Sequence, residues 1–433
     1  MKYPKILLLH MTKVHAKDTM NLLVRNLFGD WPKENLAQVY TGLYSGEGEF
    51  CGQYYEIGIH DRRFGHIFNL LKPTAVSVTS GRKFCVKMSL LRTPIWMGMM
   101  RRVTSVLIAS GVCEVIFRIR LSNTLARFVD RFNPEIIYTQ GYSLNFAKLA
   151  LIIAQEFKIP ICYFPMDDWH SSLYYGSPVH REVDSVATAI ARSASLRFAL
   201  GPKMTEILTE RYKVPFECFY HADDIRRFML TKTPNATNNQ AIVIGYTGSL
   251  YLGRAQSILD LLNSCQLLHR MFKIRVYCTE LPADIPSVLL DSEHLEFLPL
   301  PNHERLPQVL GDCDILFLPE SFDPAKRKAI ELSLSTKSHL YMMSRRPILV
   351  YGPPWSGTTD YARRFSWGVV VDKRDKQDLL EGLKLAVSES VVNEIVVRAY
   401  NVAKQNHEVE ALRKRVLQKM LSVVRDCSVK PVI

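Results

Sequence analysis

Short, nearly continuous apolar runs alternate with amphipathic stretches along the whole chain. In the first half the runs fall at 6–9, 38–41, 136–139, 161–164, 197–200 and 216–220. Runs of this length without polar alternation predict parallel strands covered on both faces. Between them, 144–158 and 181–195 carry helical spacing, and in the second Val183, Val186, Ala187, Ile190 and Ala194 recur on one face. The stretch 229–240 (MLTKTPNATNNQ) is polar, contains a Pro and three Asn, and reads as a linker. The alternation then restarts. Strands are predicted at 241–246, 274–278, 295–298, 315–318, 348–351 and 369–371, and helices at 255–271, 305–313, 337–344 and 376–387. Residues 389–424 read as one or two long helices. Strand–helix alternation in both halves predicts two doubly wound α/β domains, 1–228 and 241–388, followed by C-terminal helices over 389–433. Ligands bind such sheets beyond the carboxyl ends of the strands, and two facing domains would leave a cleft between them.

Composition narrows the class. The chain has 433 residues, 47% hydrophobic and 22% charged, which is globular and excludes a disordered, collagen-like or coiled-coil protein. Its apolar runs, such as 149–154, fall far short of the 18 or so residues of a membrane span. The N-terminal run ends at His10, too early for a signal-peptide core, and reads as a buried strand. Nine Cys are scattered with no Cys-x-x-Cys pair, and Cys162, Cys218 and Cys278 sit inside apolar runs. This pattern points to a reducing cytoplasm, without a disulfide framework or a metal site.

Charge adds a local feature. The formal net charge is +13, and residues 62–131 hold 13 Lys+Arg against Glu114 and Asp130, so this window alone contributes 13 − 2 = +11. A basic region interleaved with apolar residues points to an anionic partner: lipid, a phosphorylated substrate or nucleic acid.

Three motifs carry candidate chemistry. In PESFDPAKRKAIELSLSTKSHLYMMSRRPILVYGP, Ser335-Thr336-Lys337 precedes a helical stretch. A helix N-terminus with a Lys point charge can hold phosphate, although an ordinary capped helix with a solvated Lys fits the same residues. In GYTGSLYLGR, Gly248 and Gly253 permit a tight turn and Arg254 is placed to reach a diphosphate; the spacing is neither a dinucleotide fingerprint nor a P-loop. Asp167 and Asp168 follow a strand as paired carboxylates, suited to act as base or acceptor ligand, or simply to cap a helix.

Read together and in order, these segments resemble a GT-B glycosyltransferase related to glycosyltransferase family 4. The resemblance runs from about residue 5 to residue 420, through KILLLH, FNPEIIYTQGYS, IPICYFPMDDW, IGYTGSLYLGR, HERLPQVLGDCDILFLP, STKSHLYMMSRRPILVYGP and WGVVVD. It implies two Rossmann-like domains facing a cleft, with the C-terminal helices crossing back, and transfer of a sugar from a nucleotide-sugar donor, most often with retention. It implies a donor site at Gly248, Ser249, Ser335 and Thr336, with Arg254 and Lys337 stabilising the leaving diphosphate, and Asp167 and Asp168 on the acceptor side. No metal or other cofactor is expected. Where the family has an Arg after the Gly, this chain has Ser249; where the family has a Lys five positions on, it has Arg254. The family's two Glu, eight apart, fall on Leu332 and Leu340, leaving Glu331 as a substitute ribose contact. The Gly that ends the donor helix is Arg345, and 10–19 contains none of the Gly expected of the acceptor loop.

Many such enzymes build polysaccharide on a lipid carrier at the cytoplasmic membrane face. The basic window fits that surface, each nearby Lys or Arg adding about 1 kcal/mol of attraction. The segment 88–121 mixes Trp96 and Leu107 with Arg92, Arg101, Arg102 and Arg118, the composition of an interfacial helix or of core helices whose Arg ends snorkel. The expected partners are therefore a nucleotide sugar, a glycan or lipid-linked acceptor and an anionic membrane surface, with a cytoplasmic, peripheral location. Nucleic acid is not expected, since no recognition motif or aromatic-basic interleaving is present. Two other readings share the fold: a sugar-nucleotide epimerase, and a non-catalytic glycan- or partner-binding protein.

Overall fold

The computed structural model describes residues 2–15, 21–42, 49–66, 107–108, 110–228, 241–268 and 270–429. The segment 229–240, Arg92, Arg101 and Arg102 lie outside the described residues. The chain forms two compact units. The first comprises Met1–Ala199, Thr205–Glu217 and Arg413–Ile433; the second comprises Leu200–Met204 and Cys218–Leu412.

The first unit holds β1 (Ile6–Leu9), β2 (Leu36–Tyr40), β3 (Gln53–Glu56), β4 (Ile136–Thr139), β5 (Ile161–Tyr163), β6 (Leu196–Leu200) and β7 (Glu217–Phe219), in the order β3-β2-β1-β4-β5-β6-β7. Neighbours pair in parallel: Ile6 lies opposite both Leu36 and Ile136. β1 and β4 are wholly buried, as expected of apolar runs covered on both faces. The expected strand pattern omits β3. Its residues QYYE are half-exposed, and it lies at the sheet edge, so no apolar run marks it. Arg413, in the C-terminal helix Val409–Val429, ties that helix into this unit through Asn26 O at 2.7 Å and Asp30 at 2.6 Å.

The second unit holds β8 (Ile242–Thr247), β9 (Phe272–Cys278), β10 (Leu295–Pro299), β11 (Ile315–Pro319), β12 (Ile348–Tyr351) and β13 (Val369–Val371), in the order β10-β9-β8-β11-β12-β13. Strand alternation sends successive side chains to opposite faces. Ile315, Phe317, Leu349 and Tyr351 pack with helices Arg254–Cys265 and Lys376–Val387. Leu316, Leu318, Ile348 and Val350 pack with Ser338–Met343, Gly357–Phe365 and Glu389–Asn406. Helix Arg254–Cys265 is shorter than its apolar pattern, because Leu268 still packs on the core from the turn beyond it.

Both sheets are doubly wound, so the chain is two Rossmann-like α/β units. In each, strand order reverses beside the first strand: between β1 and β4, and between β8 and β11. Those switch points are where open α/β sheets bind ligands.

The second unit also buries three imidazoles. His339 stacks on His407 (ring centroids 5.6 Å apart) and on His221 (6.0 Å). His407 meets the His221 carbonyl at 2.6 Å and the Tyr361 hydroxyl at 2.9 Å. Both ring nitrogens of His339 are buried without a hydrogen-bond partner. Beside the stack, buried Asp223 bonds Arg227 at 2.6 Å and His303 at 2.9 Å.

Candidate functional site

The second unit's switch point collects charge from three places in the chain, around a glycine turn. β8 ends at Thr247, and Gly248 follows with φ +124°, a conformation that favours glycine. The turn closes through Gly253, at φ +81°, which places Arg254 as the first residue of its helix. Glu320 directly follows β11, and Lys337 directly precedes helix Ser338–Met343. The carboxyl ends of β8 and β11 thus bring together residues 83 positions apart, as the doubly wound order dictates.

The geometry is asymmetric. Arg254 Nη2 donates to Glu320 Oε2 at 3.1 Å, with the Arg254 side chain 14% and the Glu320 side chain 4% exposed, while Arg254 Nε is buried without a partner. Glu320 Oε1 accepts from Thr358 Oγ1 at 3.0 Å, and its carbonyl accepts from Ser257 Oγ at 3.2 Å. Burial alone would disfavour the Arg254 charge, but the adjacent Glu320 outweighs it and raises the guanidinium's affinity for its proton. Lys337 packs against the turn: a Cβ on Gly248 would stand 2.4 Å from Lys337 Cε. Its ammonium lies 5.4 Å from the Tyr246 ring centroid and, among the described residues, makes no hydrogen bond or ion pair. Burial, reinforced by Arg254, pushes its pKa down to about 7. Thr247 N donates to the Tyr341 hydroxyl at 2.9 Å, tying β8 to the helix behind Lys337. Arg254 is thus paired with Glu320 while Lys337 pairs with no carboxylate among the described residues, and the arrangement can accept an anion.

The other expected donor residues surround this point unequally. Ser335 is buried and its N–H donates to Thr358 Oγ1 at 3.0 Å; its hydroxyl lies 3.4 Å from Lys337 N. Thr336 and Ser249 are exposed. Glu331 is held by Arg327 at 2.7 Å within its own helical turn. Glu320, Thr358 and Tyr341 carry no motif; the one cue is that Glu320 follows a strand-Pro.

At the first unit's switch point, His10 beyond β1 bonds Gln140 Oε1 beyond β4 at 3.1 Å. Gln140 Nε2 in turn reaches the Tyr138 hydroxyl at 3.3 Å and Met166 Sδ at 3.1 Å. Gly141 takes φ +91° with Trp169 so close that a Cβ would stand 2.7 Å from its Nε1. The two carboxylates here part company. Asp167 is exposed. Asp168 accepts a bidentate pair from Arg211, at 2.7 and 2.9 Å, and lies 3.0 Å from His170 Nδ1. Burial would raise its pKa, but these donors outweigh burial and hold the carboxyl well below the usual range. Arg118, in the basic window, pairs with Glu182 at 2.9 Å.

No family model matches the chain, and a search of curated proteins finds no match. Solved structures do share the fold. HepE from Anabaena, solved with UDP and glucose, is 14% identical, with 97% of this chain and 100% of that one covered and a TM-score of 0.58. Sucrose-phosphate synthase from Thermosynechococcus elongatus is 11% identical, with 97% and 99% covered and a TM-score of 0.62. A glycosyltransferase from Rickettsia africae is 10% identical, with 99% and 100% covered and a TM-score of 0.57. The chain thus has the two-unit GT-B architecture of these proteins along its whole length.

Proposed function

We propose that the protein is a glycosyltransferase that takes a nucleotide sugar in its second unit and transfers the sugar to a glycan or lipid-linked acceptor held by the first. The observation that carries this reading is the cation pair at the β8/β11 switch point. Arg254 keeps a buried N–H without a partner, and Lys337 has no carboxylate of its own. A diphosphate supplies the acceptors that both lack, and fixed positive charge there stabilises the leaving group as the sugar departs. HepE, of the same fold, was solved with UDP and glucose, which supports this donor class.

Roles follow from the geometry. Arg254 and Lys337 hold the diphosphate. Gly248 lets the backbone approach it, with Ser249, Ser335 and Thr336 lining the approach. Glu331 is assigned to the ribose only if it leaves Arg327. On the acceptor side, exposed Asp167 is the candidate base or hydroxyl ligand, and Asp168 orients its neighbours through Arg211 and His170. We further assign retention of anomeric configuration, a role in cell-surface polysaccharide synthesis, and a cytoplasmic location peripheral to an anionic membrane; the basic window 62–131 motivates the last of these. No described helix is long and apolar enough to cross a membrane.

The test is a donor screen by thermal shift, followed by product analysis with and without acceptor. Arg254→Ala and Lys337→Ala should each weaken donor binding or turnover by about 10- to 100-fold, the value of a charge-assisted hydrogen bond. Unchanged turnover in both removes the site assignment. A product formed from donor alone points to epimerisation, and binding without turnover points to a non-catalytic protein. Charge reversal at Arg101 and Arg102 should weaken liposome binding and spare nucleotide binding.

A further inference from the structure

A line of hydrogen bonds joins the residues that carry the two cations at the β8/β11 switch point, and one buried hydroxyl stands at its middle. Arg254 Nη2 donates to Glu320 Oε2, and Glu320 Oε1 accepts from Thr358 Oγ1 at 3.0 Å. Thr358 Oγ1 in turn accepts the Ser335 N–H at 3.0 Å, and the Ser335 hydroxyl stands 3.4 Å from Lys337 N. A hydroxyl has one proton to give. Because Ser335 presents an N–H, that proton goes to Glu320, and the direction of the line is set. Thr358 is 0% exposed, so water does not compete for either bond.

Two glycines bring Thr358 to this place. It is the second residue of helix Gly357–Phe365, and a Cβ on Gly357 would stand 2.6 Å from the Ser333 carbonyl oxygen. Gly352 directly follows β12, and a Cβ there would stand 2.9 Å from Glu320 Cβ. The helix start thus closes on the 333–335 segment, and the end of β12 closes on the end of β11. Anchoring Oε1 of Glu320 fixes where Oε2 faces, and so where the Arg254 guanidinium rests. Holding the Ser335 N–H fixes the backbone two residues before Lys337. Building on the assignment of the donor diphosphate to this point, we infer that Thr358 is a positioning residue for donor binding. It sets the placement of Arg254 through Glu320 and of Lys337 through Ser335, without itself touching the diphosphate.

Calorimetry of the full chain with UDP-glucose, ADP-glucose and GDP-mannose, well below the thermal midpoint, identifies the probe that binds. Thr358→Val keeps the side-chain shape and deletes the hydroxyl. It should weaken that probe by about tenfold or more, since a hydrogen bond to a charged group is lost and a buried N–H is left unpaired. Thr358→Ser, which keeps the hydroxyl, should restore affinity to within about threefold of the wild type. In an Arg254→Ala background the same Val substitution should cost at most about threefold, because the cation placed through Glu320 is gone; a general loss of packing would cost the same in both backgrounds. Should Thr358→Val fail to fold, Thr358→Ala makes the same deletion and is read in the same way. Wild-type affinity in the variant without the hydroxyl, no restoration by Ser, or an equal loss in the Arg254→Ala background overturns the proposal while leaving the donor site standing. Failure of all three nucleotide sugars to bind the wild-type chain removes the donor-site reading, and this proposal with it.

Discussion

At the residue scale, Glu320 sets the character of the site. It is buried and holds Arg254 and Thr358. Removing one partner of a buried ion pair strands the other, at a cost of about 3 kcal/mol or more. Glu320→Ala should therefore lower the thermal midpoint clearly, while Glu320→Gln, which keeps an acceptor for Arg254, should lower it less. A differential scanning comparison of the two variants checks this; equal effects would mean that charge, not hydrogen bonding, holds Arg254. This residue was not legible in the sequence, because a single acid after a strand-Pro has no pattern. Its partners Arg254 and Thr358 become neighbours only when β8, β11 and the helix Gly357–Phe365 are placed. Arg254 and Lys337 themselves were legible, since turn glycines and a helix start mark them. Asp168 illustrates the reverse: adjacent carboxylates suggested chemistry, and Arg211, 43 residues on, ties one of them into structure.

At the element scale, two backbone positions carry strain in opposite ways. Gly248, at φ +124°, packs against the Lys337 stem. Gly248→Ala should strain the turn at φ +124° as well as push the flexible end of Lys337, so donor affinity and the thermal midpoint should both fall, with little change in far-ultraviolet circular dichroism. Arg345 stands where a glycine ends the donor helix in the resembling family, and it does adopt φ +56°. Its guanidinium lies 4.1 Å from the Tyr400 ring centroid, a cation–π contact that offsets the left-handed backbone. Arg345→Gly relieves about 1 kcal/mol of strain and loses a similar contact, so the urea midpoint should barely move. Arg345→Val should lose more than about 1 kcal/mol, because a β-branched residue resists this φ. Most strands were legible because they are apolar on both faces; β3 was not, because an edge strand with half-exposed QYYE looks like loop.

At the scale of the whole molecule, the second unit carries a built-in acid sensitivity. Burial pushes the pKa of His221 down to about 4 and that of His407 to about 3, and pushes His339 well below the usual range. The groups facing them are Asp223, Arg227, His303 and Tyr361. A histidine whose pKa is depressed in the fold stays neutral there while the unfolded chain protonates near pH 6.5. Its contribution is fully present above about pH 6.5 and is lost as pH falls toward about 4, at about 1.4 kcal/mol per pH unit for each histidine. Denaturant titrations at stepped pH should show this slope. His339→Phe, which keeps a stacked ring, should remove one proton from it. None of this was legible beforehand, since His221, His339 and His407 are far apart in the chain and each sits in an ordinary local context.

The chain's path through the two units also orders its synthesis. The first unit needs residues from 413 onward, including Arg413 on Asp30, whereas the second is complete at Leu412. On a ribosome, domains fold as their segments emerge, usually from the N-terminus onward. Here the unit that starts first finishes last: its sheet through β7 must wait, with the surface meant for the final helix uncovered, until the second unit has emerged whole. A stalled chain ending near 412 would thus present a finished second unit joined to an unfinished first one.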